Sequence, residues 1–314
     1  MNRTSYYAGI DVSKDYLDLH LLPSEQAERF TNDAAGHHKL IGVLQKHRVH
    51  LIVLEATGGY ERAAVSAMVQ AGLRVHVAQP QIIRAFAVSM KIRAKNDDID
   101  SFVCARYAQD RDKQLPVITS IDPTQQTLQA LLVRRSQLVE MSTMEQNRLQ
   151  QVSDQQALQS VKRSLKFLQK QIQRAEKQMD QLIQQDQKLR EKSKTLQETK
   201  GVGPQTTRVL LACLPELGST SSKRLNALVG VAPYAADSGG HKGARYIAGG
   251  RKIVRNGLYM ACMSAVHTNP VIAPYYKKLL ERGLAHKTAM MACIRKLLNY
   301  LNEQLRPPKL TTPP

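Results

Sequence analysis

Residues 6–11, YYAGID, predict a short apolar strand that ends on the carboxylate of Asp11. The same pattern recurs at residues 49–55, VHLIVLE, where a buried strand ends on Glu55. Between them, residues 17–21 alternate leucines with polar side chains, which is the period of a half-buried strand. Strands of these two kinds predict a sheet in which some members are buried on both faces and others on one.

The remainder of the first 120 residues alternates strand and helix patterns. This alternation predicts an α/β domain over residues 1–120, with a mixed sheet covered by helices. The further elements expected are a weaker strand over 28–32, a helix over 33–47, a turn at 57–59, a helix over 60–71, a strand over 73–78 and a helix-rich stretch over 80–110.

The second region, residues 121–200, is predicted to be an α-helical coiled coil. From residue 124 to residue 200 it contains neither Gly nor Pro, and apolar residues recur at alternating spacings of three and four from Leu158 to Leu182. A stripe of this kind is a packing face, so only a structural or dimerising role is expected. The pair Ser153-Asp154 would allow an antiparallel hairpin of two helices instead of one long rod.

The third region, residues 201–305, is predicted to be mostly helical, apart from a Gly-rich loop over 233–250. The tail, residues 306–314, holds four prolines in nine residues and is expected to be disordered. The sequence therefore predicts three domains and a tail.

The chain is strongly basic. Its 314 residues include 45 Lys and Arg against 26 Asp and Glu, a net charge of +19, and residues 201–314 alone carry 16 basic and 4 acidic side chains. Such an excess favours a nucleic-acid partner over a merely soluble basic surface. No signal core or bilayer-spanning run is present, and four scattered cysteines disfavour a disulfide framework or a thiolate zinc site. A soluble, cytoplasmic protein without a membrane partner is expected.

Four carboxylates are candidates for a metal site. Asp11 and Glu55 end buried strands, and the ends of adjacent strands lie side by side; Asp97 and Asp100 are three residues apart, on one face of a helix. Carboxylates that converge repel one another unless a cation lies between them, and oxygen ligands favour Mg²⁺ or Mn²⁺. The alternative is that these are ordinary strand-end residues and a solvated helix start.

The segment Gly201-Val202-Gly203 lies between two helical stretches. Glycines that open a helix let backbone N–H groups approach a phosphate, so Gly201 and Gly203 are candidates for a nucleic-acid contact of the helix-hairpin-helix kind. Pro204 removes one donor, and a plain interhelical turn is an equal alternative.

The Gly-rich loop contains Ser238, which a phosphodiester can approach closely because its neighbours are glycines. On turn statistics alone such a serine is a turn former, and His241 is either a base or a bystander. The stronger indication is the density of basic residues that can hold phosphate oxygens. The predicted nucleic-acid-binding residues are Lys242, Arg245, Arg251, Lys252 and Arg255.

These motifs resemble those of a known family. GIDVSK at 9–14, EATG at 55–58 and KNDDID at 95–100 are similar to the acidic motifs of DEDD-type insertion-sequence transposases. The stretch from Leu225 to Arg255 resembles the C-terminal transposase domain of the same enzymes. Order and spacing agree over nearly the whole chain, so the combined match is specific although each motif alone is not.

The resemblance implies an N-terminal RuvC-like domain of the ribonuclease-H fold. It implies that Asp11, Glu55, Asp97 and Asp100 hold Mg²⁺ or Mn²⁺, and that Ser238 is a nucleophile that becomes joined to DNA. The implied activity is bridge-RNA-guided DNA recombination on donor and target DNA, by a homo-oligomer, dimer or tetramer. The implied location is the bacterial cytoplasm, at the nucleoid when the enzyme is active.

Two positions depart from the family pattern. Asn96 stands where the family more often has Thr, and Asp98 is an additional acid that makes the third ligand ambiguous. The three-residue spacing to Asp100 favours Asp97. Two other functions remain open: a metal-dependent junction resolvase in which water attacks in place of Ser238, and a non-catalytic nucleic-acid scaffold with structural carboxylates.

Overall fold

The computed structural model describes residues 5–94, 97–118, 120–237, 243 and 245–306. The chain forms two compact units, Met1–Asp122 and Pro123–Pro314. The sequence predicts a further boundary near residue 200, between a coiled coil and a C-terminal domain. The structure has no unit boundary there within its described residues, for a reason that lies in the core of the second unit.

The first unit contains a five-stranded mixed sheet in the order β3-β2-β1-β4-β5. Strands β1, β2 and β3 pair antiparallel, whereas β4 pairs parallel with both β1 and β5. The predicted mixed sheet with helices is thereby confirmed. The strands are β1 Tyr6–Val12, β2 Tyr16–Leu22, β3 Gln26–Thr31, β4 Val49–Glu55 and β5 Val75–Ala78.

Helices cover both faces of this sheet, because alternate residues of each strand point to opposite sides. The helices of this unit are α1 Ala34–Lys46, α2 Glu61–Gln70, α3 Pro80–Ser89 and α4 Asp97–Arg111. Ile10 and Leu54 lie in a core with α1 and α2, whereas Leu51 and Val53 lie in a core with α3 and α4. A 3₁₀ turn follows at Asp112–Gln114.

The second unit is helical in its described residues. Its helices are α5 Pro123–Leu149, α6 Gln155–Gln185, α7 Gln187–Gln197, α8 Pro204–Cys213, α9 Ser222–Val229, α10 Lys252–Thr268, α11 Ile272–Glu281 and α12 His286–Gln304. No described helix combines the length and the low charge that crossing a bilayer requires.

Helices α5 and α6 form an antiparallel hairpin. The chain turns between them at residues 150–154, where the Asp154 side chain accepts a hydrogen bond from the Ala157 amide and caps α6. An ion pair joins Arg135 to Glu176 across the hairpin, with 2.6 Å between Nε and Oε1. Leu168, Ala175 and Met179 of the predicted apolar stripe are buried within this one chain, whereas its other members are partly exposed, and a coiled coil is not confirmed.

The core of the second unit joins this hairpin to the helices that follow it. Leu132 of α5, Met179 of α6 and Leu196 of α7 are buried in one cluster with Leu258 of α10 and Leu298 of α12. The middle and C-terminal regions therefore bury their apolar faces against each other, which is why no unit boundary falls near residue 200. Residues 307–314, most of the predicted disordered tail, lie outside the described residues.

Candidate active site

Asp11 and Glu55 lie at one edge of the sheet and on one face. Strands β1 and β4 run parallel with Ile10 opposite Leu54, so the next residue of each strand is a carboxylate. Leu51, Val53 and Glu55 are two residues apart along β4 and therefore point to the same face of the sheet. Leu51 and Val53 lie in the core that includes residues of α4. Alternation along the strands therefore directs both carboxylates toward the face that α4 covers.

Helix α4 supplies the other two predicted ligands from its first turn, where Asp97 and Asp100 stand. The helix lies extremely close to β1 at Gly9. A Cβ atom at that position would be 2.0 Å from the carbonyl oxygen of Ser101 and 2.1 Å from the amide nitrogen of Ala105. Glycine at position 9 thus permits the approach that brings the start of α4 to the end of β1.

Electrostatic interactions show that these carboxylates are neighbours. Burial raises the pKa of Asp11 to about 6, together with repulsion from Asp100 and Asp97; the Val12 amide opposes the shift and Asp18 adds to it. The pKa of the Cys104 thiol is also raised, first by burial and then by the charges of Glu55, Asp11 and Asp100. These three carboxylates therefore act on the Cys104 thiol from nearby positions, and Asp97 acts on Asp11.

A cavity of about 780 Å³ opens beside this group of carboxylates. Glu55 and Asp100 both line it, together with Arg84 and apolar residues of α3 and α4. Within the described residues, no three Asp, Glu, His or Cys side chains stand close enough to hold a metal ion jointly. The donors nevertheless fit a hard divalent cation in kind, since all are carboxylates and the repulsion that raises the pKa of Asp11 would fall beside a cation. Binding requires the side chains to approach one another.

A fifth carboxylate and an arginine belong to this site and were not predicted. Asp18 stands opposite Asp11 on β2 and is 7% exposed. Arg29 on β3 donates from Nε to Asp18 Oδ1 at 2.6 Å and from Nη2 to Asp97 Oδ2 at 2.9 Å. The position of Asp18 could have been predicted from the alternation in residues 17–21, because it places Asp18 on the face of the sheet opposite to the leucines.

We expect Gly9→Ala to destabilise the first unit by about 2 kcal/mol or more, since the added methyl must displace the backbone of α4. The measurement is the free energy of unfolding in urea. Gly42→Ala is the matched control: Gly42 lies within α1 with open space around its Cβ position. That substitution should be neutral or stabilise by up to about 1 kcal/mol. Equal stabilities for the two variants would contradict the close approach at Gly9.

Gly201 and Gly203 both precede α8, which begins at Pro204 in the second unit. Gly201 has φ +98°, and a Cβ there would lie 2.6 Å from the Ala265 Cβ. Gly203 is the N-cap of α8, with open space around its Cβ position. Both glycines line a concavity of about 430 Å³ with Lys200. Gly201 therefore has a packing role in addition to any role in binding.

Three of the five predicted basic contacts, Arg245, Arg251 and Arg255, are engaged within the protein. Arg251 forms a bidentate ion pair with Glu216, in which Nη1 donates to Oε2 and Nη2 donates to Oε1, each at 2.6 Å. Nη1 also donates to the Cys213 carbonyl oxygen. Arg255 Nη1 donates to the carbonyl oxygens of Val229, Gly230 and Gly249. Both guanidinium groups hold the base of the Gly-rich loop, a position that charge counting does not reveal.

The predicted residues in and beside the Gly-rich loop differ in how far the structure describes them. Arg245 pairs with Asp237 at 2.8 Å, and Lys252 is exposed at the start of α10. Ser238, His241 and Lys242 lie outside the described residues, as does Asn96 of the first unit.

Comparisons with known proteins cover both units. A family model of DEDD-type IS110 transposases, described as transposase, matches residues 8–157, and one described as transposase of the IS116/IS110/IS902 family matches residues 193–277. Pilin gene-inverting proteins of Moraxella bovis and Moraxella lacunata are each 28% identical over 308 residues, which cover 93% of both chains.

A solved structure, T. thermophilus RuvC in complex with a Holliday junction substrate, aligns at a TM-score of 0.28 and 15% identity. The alignment covers 37% of this chain and 100% of that one.

The two family models together match well over half of the 314 residues and include the strands, α4 and the Gly-rich loop. The chain therefore belongs to the IS116/IS110/IS902 family of transposases.

Proposed function

We propose that the protein is a DNA recombinase that cuts and rejoins strands with the help of a divalent metal ion. The observation that carries the proposal is geometric: Asp11 and Glu55 end two paired parallel strands, and Glu55 lines one cavity together with Asp100 of α4. Repulsion among carboxylates that lie close together destabilises the folded protein. A group of this kind therefore indicates a function that needs the carboxylates together.

Family membership and the named relatives support the same function. Inverting a gene, the activity in the names of the two Moraxella proteins, requires the exchange of DNA strands. We assign residues 1–120 as the RuvC-like catalytic domain, residues 121–200 as a helical module and residues 201–305 as the transposase domain with the serine. The mixed sheet with carboxylates at the ends of β1 and β4 supports the first assignment.

The proposed metal ligands are Asp11, Glu55, Asp97 and Asp100. Asp97 is preferred to Asp98 because Asp97 is among the carboxylates that raise the pKa of Asp11. Bound Mg²⁺ or Mn²⁺ would activate the attacking oxygen and neutralise charge on the phosphate. The rim position of Glu55 and Asp100 on the cavity leaves room for a strand to approach, and the absence of a Cβ at Gly9 lets α4 lie this close to β1.

We propose that Ser238 is the nucleophile. Its Oγ forms a bond to phosphorus, the bond from phosphorus to one deoxyribose oxygen breaks, and the serine proton ends on that leaving oxygen. The phosphodiester energy is kept in the serine ester, so a second strand can attack it without ATP. Lys242, Arg245 and Lys252 are proposed to hold phosphate oxygens nearby, while Arg251 and Arg255 hold the loop.

The remaining partners follow from the family resemblance. We propose that donor and target DNA are the substrates, that a guide RNA selects them, and that the working form is a dimer or tetramer. The net charge of residues 201–314 supports a polyanion partner.

The function is tested with a plasmid that bears the ends of the element from which this gene comes and its target site. With Mg²⁺ or Mn²⁺ and the RNA transcribed beside the gene, we expect new DNA junctions, detected by sequencing across them; EDTA should abolish them. Cleaved ends that are never rejoined would indicate a junction resolvase that uses water. DNA bound but chemically unchanged in every condition would indicate a scaffold and would refute the proposal.

A further inference from the structure

A concave basic site in the second unit shares only Arg245 with the function proposed above. It has a volume of about 410 Å³ and lies between described residues of the Gly-rich loop and the first turns of α12. Arg245, Tyr246, Lys287, Met291 and Arg295 are among the residues that line it. Lys287, Met291 and Arg295 are spaced four apart on α12 and therefore form one stripe of that helix.

Two of the three cations that line this site have no acidic partner among the residues that the structure describes. Arg245 pairs with Asp237, but in residues 5–94, 97–118, 120–237, 243 and 245–306 neither Lys287 nor Arg295 has a carboxylate within ion-pair distance. Arg295 is half-buried, and a cation that has lost part of its hydration is stable only if an anion or dipole compensates it. The site therefore presents positive charge that an anion could compensate.

Two further features specify the kind of anion. The site includes the first turn of α12, whose N-cap is Ala285, a residue that has no side-chain group to cap the free amides; such amides favour phosphate. Tyr246 is 53% exposed beside the cations, and its ring can stack on a nucleobase. Met291 provides an apolar, adaptable wall.

We propose that this concavity binds one nucleotide of an unpaired nucleic-acid strand. Lys287, Arg295 and the start of α12 hold its phosphate, and Tyr246 stacks on its base. The inference rests on the proposed function, since it says which form of nucleic acid the second unit holds during strand exchange. A base within a duplex is already stacked on its neighbours, so we expect the site to bind an unpaired strand more tightly than a duplex.

The test measures binding of fluorescein-labelled 12-nucleotide single-stranded DNA, single-stranded RNA and duplex DNA to the full chain by anisotropy. EDTA is present throughout, so that binding is measured without strand chemistry. We expect Lys287→Gln combined with Arg295→Gln to weaken single-strand binding about tenfold. The dependence of log affinity on log salt should flatten by about 0.7 for each phosphate that the variant no longer neutralises.

The matched control is Lys277→Gln combined with Arg282→Gln, which removes the same charge from exposed positions on or next to α11. It should change single-strand affinity less than about twofold. Tyr246→Leu should also weaken single-strand binding about tenfold, and Tyr246→Phe should keep it, because the stacking face remains. A larger loss with DNA or with RNA identifies which strand occupies the site; either supports the proposal.

Equal losses for the two double variants, or equal losses on duplex and single strands, would overturn it by showing a general effect of charge. A Tyr246→Leu protein that binds single strands as tightly as wild type would do the same. Binding and recombination are independent measurements: a wild-type protein that never forms new junctions with Mg²⁺ refutes the proposed function, whatever the anisotropy shows.

Discussion

Asp100→Asn should lower the rate of strand exchange at least about a thousandfold, which corresponds to about 4 kcal/mol of activation free energy. Asn keeps the size of the side chain and one oxygen donor but removes the charge that attracts a divalent cation. Asp100 is half-buried at the rim of the cavity, close to Asp11 and to Cys104. Exchange is measured by quantitative amplification of the new junctions, and binding of Mn²⁺ to each protein by calorimetry.

Asp98→Asn is the matched control, because Asp98 stands on the same turn of α4, is exposed, and loses the same charge. It should leave exchange within a few-fold of wild type. DNA binding should be unchanged in both variants, which separates a lost ligand from a lost surface. If Asp98→Asn proves the inactive variant and Asp100→Asn the active one, the assignment of ligands on α4 is wrong.

Ser238→Ala should stop the formation of protein–DNA adducts, a loss of about 10⁴-fold or more, because no other atom of that side chain can attack phosphorus. The family resemblance motivates this expectation, together with the Gly-rich sequence around the serine. Labelled DNA is incubated with protein and Mg²⁺ and then denatured. Label that migrates with the wild-type protein, and is released by a protease as a small peptide adduct, measures the step directly.

Ser219→Ala is the control for this experiment, since Ser219 is an exposed turn serine in the same unit, hydrogen-bonded to the Glu216 carbonyl. It should form adducts as wild type does. Adducts formed equally well by Ser238→Ala would exclude the serine as nucleophile. Cleaved DNA without any adduct in the wild type would point to water as the attacking group.

The fold of the first unit was largely predictable, because its strands differ sharply in pattern from its helices. The strand over 49–55 has the predicted bounds, and the helix expected over 33–47 is observed as Ala34–Lys46. The order of the strands was not predictable. The apolar pattern of a strand's sequence indicates which of its faces is buried, but it does not indicate which strand lies next to it. The packing partner of the leucine stripe in α6 was not predictable for the same reason, since such a stripe can pack within one chain or between two chains.

The positions of the candidate ligands were predictable where they depend on local spacing and not where they depend on pairing, and their role as ligands stays a prediction. Asp97 and Asp100 follow from spacing on one helix, and Asp11 and Glu55 from strand ends. Arg251 and Arg255 resemble phosphate ligands in the sequence, yet one meets Glu216 and the other three carbonyl groups. Charge composition gives the number of cations in a region but not the direction in which each one points.

The close contact at the base of the Gly-rich loop has a consequence for how this protein can vary. A Cβ on Gly230 would lie 2.2 Å from the Gly249 carbonyl oxygen, and Tyr234 and Tyr246 exchange backbone hydrogen bonds at 2.8 and 3.2 Å. The ends of the segment between the tyrosines are thus fastened whatever residues it contains. Doubling its length would cost only about 0.6 kcal/mol in closure entropy. The length of this segment can therefore change at little cost in free energy, while the paired tyrosines and the glycine contact keep its two ends together.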